Sequence, residues 1–187
     1  MNTYISKKPL LYKDLFNKFN DTRGFLSALD LRELGLLLNY NDFYYQLLSH
    51  TERCYTFRGF HFQRAPFDQD KLVFIHSGKL IDIVFPINLN VFNDVKIFKL
   101  SCGDALFVPK GYAHGFISVS DNVVLQYLMN NSFSAEHYTG IRGTKMAALV
   151  NKNCLVSDKD SELPRNTSVE ELVTKAILDW LKLNAVP

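Results

Sequence analysis

Between Tyr55 and Met129 the chain runs as short β-branched and aromatic segments: TFRGFHFQ, KLVFIHS, KLIDIVFPINLN, VKIFKLS, ALFVP, HGFISVS and VVLQYLM. The separators are turn formers: Ser77-Gly78, Asn93-Asp94, Cys102-Gly103-Asp104, Pro109-Lys110-Gly111 and Ser120-Asp121-Asn122. Short strands at such close, regular spacing predict an all-β chain, an antiparallel sandwich or barrel. With 187 residues, 47% of them hydrophobic, the chain has enough apolar surface for one sizeable core and little for two. A single domain over 1–187 is expected, its barrel core at about 40–150 and a C-terminal loop and helix over 151–187.

The flanks read differently. Leucine spacing in LRELGLLLNYNDFYYQLL, Leu31 to Leu48, suits a short helix leading into an irregular segment or edge strand. The apolar Leu10, Leu11, Leu15 and Phe19 suit a strand or helix buried against something that the sequence does not name. After a polar loop from Asn151, Ser168-Val169-Glu170-Glu171 fits a capping box. Leu172, Ala176, Leu178 and Leu181 then recur at helical spacing, which predicts a C-terminal helix with one face packed.

Charge and cysteines exclude several function classes. A formal net charge of +2 gives no field that would gather nucleic acid or an anionic membrane, so any bound anion must meet a few placed cations. No stretch approaches the roughly 20 apolar residues that span a bilayer. Cys54, Cys102 and Cys154 are odd in number and far apart, which suggests neither a disulfide framework nor a zinc knuckle. A protein of a reducing cytoplasm is expected.

The sharpest local signal is Gly103-Asp104-Ala105-Leu106-Phe107-Val108-Pro109-Lys110-Gly111-Tyr112-Ala113-His114. It resembles the second cupin motif, G-x5-P-x-G-x2-H, in which a tight turn between strands is followed by a histidine aimed into a barrel. Metal-dependent cupins add an HxH pair and a glutamate from an earlier motif. Here that region is Arg58-Gly59-Phe60-His61-Phe62-Gln63, with one histidine, and the nearest downstream acid is Asp68 in the loop-like APFDQD. A metal site lacks at least one ligand, so none is expected. Either histidine alone also fits a hydrogen-bonded group in a polar barrel mouth.

Several motifs occur together in one order: Asp21-Thr22-Arg23-Gly24-Phe25, Arg58–Gln63, Gln69-Asp70-Lys71-Leu72-Val73, Gly78 with Asp82, Pro109-Lys110-Gly111-Tyr112-Ala113-His114-Gly115-Phe116, Tyr127, and Ser157-Asp158-Lys159-Asp160. This set, from about residue 11 to 165, resembles the dTDP-4-dehydrorhamnose 3,5-epimerases and relatives acting on other 4-keto-6-deoxy sugar nucleotides. The resemblance implies a cupin jelly-roll barrel with short flanking helices, an isomerase without cofactor, and a nucleotide-diphospho-sugar substrate for surface polysaccharide such as capsule or LPS. It also implies a homodimer with exchanged N-terminal strands.

Site roles follow from the same resemblance. A proton next to a ketone is weakly acidic, so its removal needs a positioned base and a group that stabilises the enolate oxygen. His61 is implied as the base, with Asp160 holding one ring nitrogen and favouring the imidazolium. Tyr127 is implied as the proton donor on the opposite face, and Lys71 as the cation near the C4 oxygen. Arg58, and Arg23 from a second subunit, are implied diphosphate ligands. Gln46, Gln63, His114, Asp82 and Lys159 complete the implied substrate contacts.

Departures cluster away from these proton-transfer residues. The family's QxNxSxS segment is read here as Gln46-Leu47-Leu48-Ser49-His50-Thr51-Glu52, with Leu48 in place of asparagine. VDxR becomes Phe85-Pro86-Ile87-Asn88, the acid shortly after DxRGF gives way to Ala28, and G-I-L-W-x-D-P becomes Tyr138-Thr139-Gly140-Ile141-Arg142-Gly143. A lost amide changes the hydrogen bonds on offer, so a GDP-linked hexose or heptose stands beside a dTDP-linked sugar as substrate. Whether C3, C5 or both are inverted stays open. So do a 3,4-ketoisomerase and a non-catalytic sugar-nucleotide-binding cupin.

Overall fold

The computed structural model describes residues 8–15, 17–38 and 42–184. Two five-stranded antiparallel sheets face each other. One has the order β1 (Leu10–Tyr12), β9 (Ala105–Val108), β6 (Lys71–Ser77), β11 (Val123–Met129), β4 (Tyr45–Thr51). The other runs β12 (Tyr138–Gly140), β5 (Phe57–Gln63), β10 (Tyr112–Ser118), β7 (Lys79–Pro86), β8 (Lys96–Ser101). This is the jelly-roll barrel expected from the sequence, and β5 to β11 fall on the seven runs. Gly78 turns β6 into β7 at φ +80, a conformation that suits glycine, and a Cβ there would lie 2.7 Å from Val123 Cγ2.

Three apolar clusters hold the layers. Val73, Ile75, Leu80, Val84, Leu100, Leu106, Phe116, Val123 and Leu125 fill one end of the interior between the sheets. Phe57, Phe60, Ile81, Ile83 and Phe85, on the outer face of the second sheet, are covered by α2 (Thr144–Val150) and α4 (Thr167–Leu183). Outside the first sheet, Leu72, Phe74, Ala105 and Phe107 pack under Leu34 of α1 (Leu31–Leu38) and under Leu10, Tyr12 and Leu15. The N-terminal apolar residues Leu10, Leu11 and Leu15 are therefore covered by this chain's own barrel. Phe19 is not: among the described residues β2 (Asn17–Asp21) and β3 (Gly24–Ala28) pair only with each other and leave Phe19, Phe25 and Leu26 exposed.

The start of α4 differs from the sequence expectation. Its cap is Asn166, whose side chain accepts from Val169 N, and Ser168 lies inside the first turn. Glu170 is engaged by Arg165 at 2.9 Å. Val169, Val173 and Ile177 form the buried stripe, with Leu172, Ala176 and Leu181 beside it and Leu178 exposed. No helix among the described residues is long and apolar enough to cross a membrane.

Candidate active site

At the end of the interior that the apolar cluster leaves open lies a cavity of about 370 Å³. Alternation along paired strands decides who faces it. Tyr127 on β11 pairs with Val73 on one side and Leu47 on the other; Met129 pairs with Lys71 and Tyr45. Directly opposed residues share a face, so Lys71, Tyr127, Tyr45, Leu47 and Ser49 line the cavity while Gln46 and Leu48 point outward and are exposed. The Gln46 expectation is corrected here. With a side-chain period of two, the polar-segment alignment is off by one residue, and the residues in the cavity-facing positions are Tyr45 and Leu47.

Across the cavity, β5 supplies Arg58 and His61. Three residues apart, they would face opposite ways on a regular strand. The β5–β10 ladder shifts register between His114, opposite His61, and Phe116, opposite Arg58, and this irregularity turns both inward. It needs a bare backbone, since a Cβ on Gly59 would sit 2.5 Å from Gly115 Cα.

His61 Nε2 donates to Asp160 Oδ1 at 2.7 Å, leaving Nδ1 for a proton. Asp160 is carried on the short α3 (Asp158–Ser161), where Ser157 Oγ accepts from its backbone N–H and its Oδ2 accepts from Gly59 N. Burial by itself would raise this carboxyl, but the His61 hydrogen bond and charge, with help from Gly59 and Arg58, together hold it below the ordinary value. His114 makes a second pair, Nε2 to Asp82 Oδ2 at 2.7 Å. Asp82 is 0% exposed and lies behind His114, so the expectation that it lines the mouth itself is corrected.

Lys71 Nζ donates to His61 O at 3.3 Å. Burial pushes its ammonium down to about 8, partly opposed by the charge of Asp82. Burial, reinforced by Asp82 and opposed by Arg58, pushes the Tyr127 phenol far up, so it stays protonated at neutral pH. Arg58 is braced by Nε to Thr51 Oγ1 at 2.9 Å and a second bond to His50 O.

Other implied contacts divide. Lys159 lines the cavity with Nζ 4.3 Å from the Tyr138 ring centroid. Gln63 also lines it, but both amide hydrogens are taken, by Phe67 O and Ser132 O, and its oxygen accepts from Ser134 N. Its place is scaffolding for two loops, which corrects its reading as a substrate contact. Arg23 is not in this chain's cavity; it lies at the tip of the β2–β3 turn, bonded to Asp21 and 88% exposed.

Tyr138, Phe133, Tyr45, Leu47 and Ser49 line the cavity and were missed by sequence reasoning. Tyr138 stands 5.4 Å from the His61 ring and 5.5 Å from Phe133, with its phenol pushed up to about 12 by burial and the Asp160 charge. Strand parity counted from Ser49 was the signal for Tyr45 and Leu47. Among the described residues no three His, Cys, Asp or Glu side chains cluster so as to hold a metal ion.

The sequence profile described as dTDP-4-dehydrorhamnose 3,5-epimerase matches residues 12–167. A protein of that name from Sinorhizobium fredii is 32% identical over 163 residues, 79% of this chain and 80% of that one. One from Escherichia coli is 31% identical over 128 residues, 66% and 69% of the two chains. The crystal structure of dTDP-4-dehydrorhamnose 3,5-epimerase from Bacillus anthracis, with TDP and PPi bound, superposes with a TM-score of 0.72 at 28% identity, covering 84% of this chain and 94% of that one.

Proposed function

Because the chain belongs to the dTDP-4-dehydrorhamnose 3,5-epimerase family and is an isomerase, we propose that it epimerises a nucleotide-linked 4-keto-6-deoxy sugar by passing protons between His61 and Tyr127. The observation that carries this reading is their placement. His61 on one sheet, bonded to Asp160 of α3, and the protonated Tyr127 phenol on the other sheet line a single cavity, with the Lys71 ammonium reaching across to His61 O.

The chemistry needs each part. His61 Nδ1 removes the proton beside the ketone, and Asp160 accepts the Nε2–H bond that fixes the ring and stabilises the resulting imidazolium. The Lys71 ammonium takes the charge that gathers on the C4 oxygen. Tyr127 returns a proton from the opposite face, which inverts the centre; a single group would return it where it came from. Arg58 and Lys159 hold the diphosphate by charge-assisted bonds. The exposed hairpin with Arg23, Phe19, Phe25 and Leu26 supports a homodimer in which Arg23 reaches a neighbour's cavity.

Mass-spectrometric exchange in deuterated water tests the reaction. With dTDP-linked and GDP-linked 4-keto-6-deoxy sugars, wild type takes up one or two deuterons and His61→Asn takes up none. No uptake from any donor overturns the reading in favour of a binding protein, and a moved carbonyl overturns it in favour of a ketoisomerase. The same assay decides the nucleotide. Leu47 and Tyr45 present no amide on the β4 wall, which supports a substrate other than the ordinary dTDP-linked hexose, a GDP-linked hexose or heptose included; tight dTDP binding with GDP ignored would overturn that.

A further inference from the structure

Two cations besides Lys71 line the cavity, and they are held by different means. Arg58 is braced by hydrogen bonds to Thr51 Oγ1 and His50 O. Lys159 is exposed, and among the described residues its ammonium meets the face of Tyr138 rather than a carboxylate, with Nζ 4.3 Å from the ring centroid. An exposed lysine samples many rotamers, and fixing it on an anion costs entropy that a prior contact removes. A carboxylate in the place of the ring would cancel the charge and repel a bound anion, whereas an aromatic face holds the ammonium with its charge intact.

Both members of this contact are anchored. Tyr138 pairs with Gln63 in the β12–β5 ladder, and directly opposed residues share a face, here the cavity face. Two positions on, Gly140 lies opposite His61 and carries no side chain, and the Tyr138 and His61 rings stand 5.4 Å apart. Phe133 stands 5.5 Å from the same ring, in a segment that Gln63 grips on both sides by donating to Ser132 O and accepting from Ser134 N. Lys159 rides on α3, which Asp160 ties to β5 through His61 Nε2 at 2.7 Å and Gly59 N.

We propose that Tyr138 is a positioning residue whose ring holds the Lys159 ammonium at the cavity, so that the diphosphate of a nucleotide sugar meets a preplaced cation. An ammonium has three donors, so one side rests on the ring while the others bond phosphate oxygens. The ring quadrupole supplies the attraction, and the hydroxyl is not needed for it. The role rests on reading the cavity as a nucleotide-diphospho-sugar site and is independent of proton transfer.

Calorimetric titration of the full chain with dTDP and with GDP tests it. Tyr138→Leu raises Kd about 2–5-fold, as for loss of one cation–π contact at an exposed site. Tyr138→Phe, which keeps the ring, binds as wild type does. Lys159→Met raises Kd at least as much as Tyr138→Leu, and adding Tyr138→Leu to it changes nothing further. Tyr138→Met repeats the cycle should the leucine variant misfold. Three results overturn the proposal: wild-type affinity in a folded Tyr138→Leu or Tyr138→Met, an equal loss in Tyr138→Phe, or the same loss with and without Lys159. Wild type that binds neither nucleotide overturns the reading of the site and the proposal together. Coupled losses in a protein that exchanges no deuterium leave the positioning role standing and remove the epimerase reading alone.

Discussion

The two ends of the barrel interior are built from the same strands and have opposite character. On β6, Lys71 opens the inward face and Val73 and Ile75 continue it; on β11, Val123 and Leu125 lead to Tyr127; on β10, His114 is followed by Phe116. Two residues along a strand, about 7 Å, separate a dry packed end from one lined by imidazoles, a lysine and a phenol. On the proposed mechanism the second end carries the chemistry while the first holds the packed core, so substitutions at the two ends should separate the two properties. Asp82 is the point where the polar set intrudes into the dry one.

The largest separation is expected from His61→Asn. Deuterium uptake falls by about 10²–10⁴-fold, as for loss of a general base, while urea unfolding moves by less than about 1 kcal/mol. A fall in stability comparable to that of a core deletion would break the contrast. Leu125→Ala, at a fully buried position of the dry end, is expected to do the reverse. It costs about 2–5 kcal/mol in urea unfolding with exchange at low temperature retained.

Lys71 sharpens the comparison because its burial costs stability at the position where the proposed mechanism uses a cation. Its folded value, about 8, lies below the ordinary one for lysine. Between those two values the unfolded chain binds more protons, so stability rises with pH through that window and the penalty is fully present below it. Lys71→Met should flatten the rise, seen by urea unfolding at pH 7.5 and 10, and abolish exchange; a rise that persists in the variant would rule out Lys71 as its source. Asn166→Ala, remote from both ends, should lose the α4 cap and about 0.5–2 kcal/mol without changing exchange. An equal loss in Ser168→Ala would move the cap back to Ser168.

The misreadings share one cause. The sequence puts Gln46 in the site, but β4 is fixed by pairing with β11, so Tyr45 and Leu47 face inward beside Met129 and Tyr127. Gln63 has the type of a ligand, yet three backbone partners about its amide make it a brace. Ser168 matched a capping pattern that Asn166, two residues earlier, satisfies through Val169 N. In each case local type was right and the partner, distant or one turn away, decided the role.

The sequence by itself determined the strand runs, their antiparallel pairing and the ordered set His61, Lys71, Tyr127 and Asp160, because period-two hydrophobicity, turn residues and motif spacing are local properties of the chain. Only the tertiary structure decided which of them meet. The shift in the β5–β10 register turns Arg58 and His61 the same way, α3 brings Asp160 to His61 across 99 positions, and the pairing of β10 with β7 brings His114 to Asp82. Those outcomes depend on pairings between residues far apart in sequence, and no window along the chain contains them.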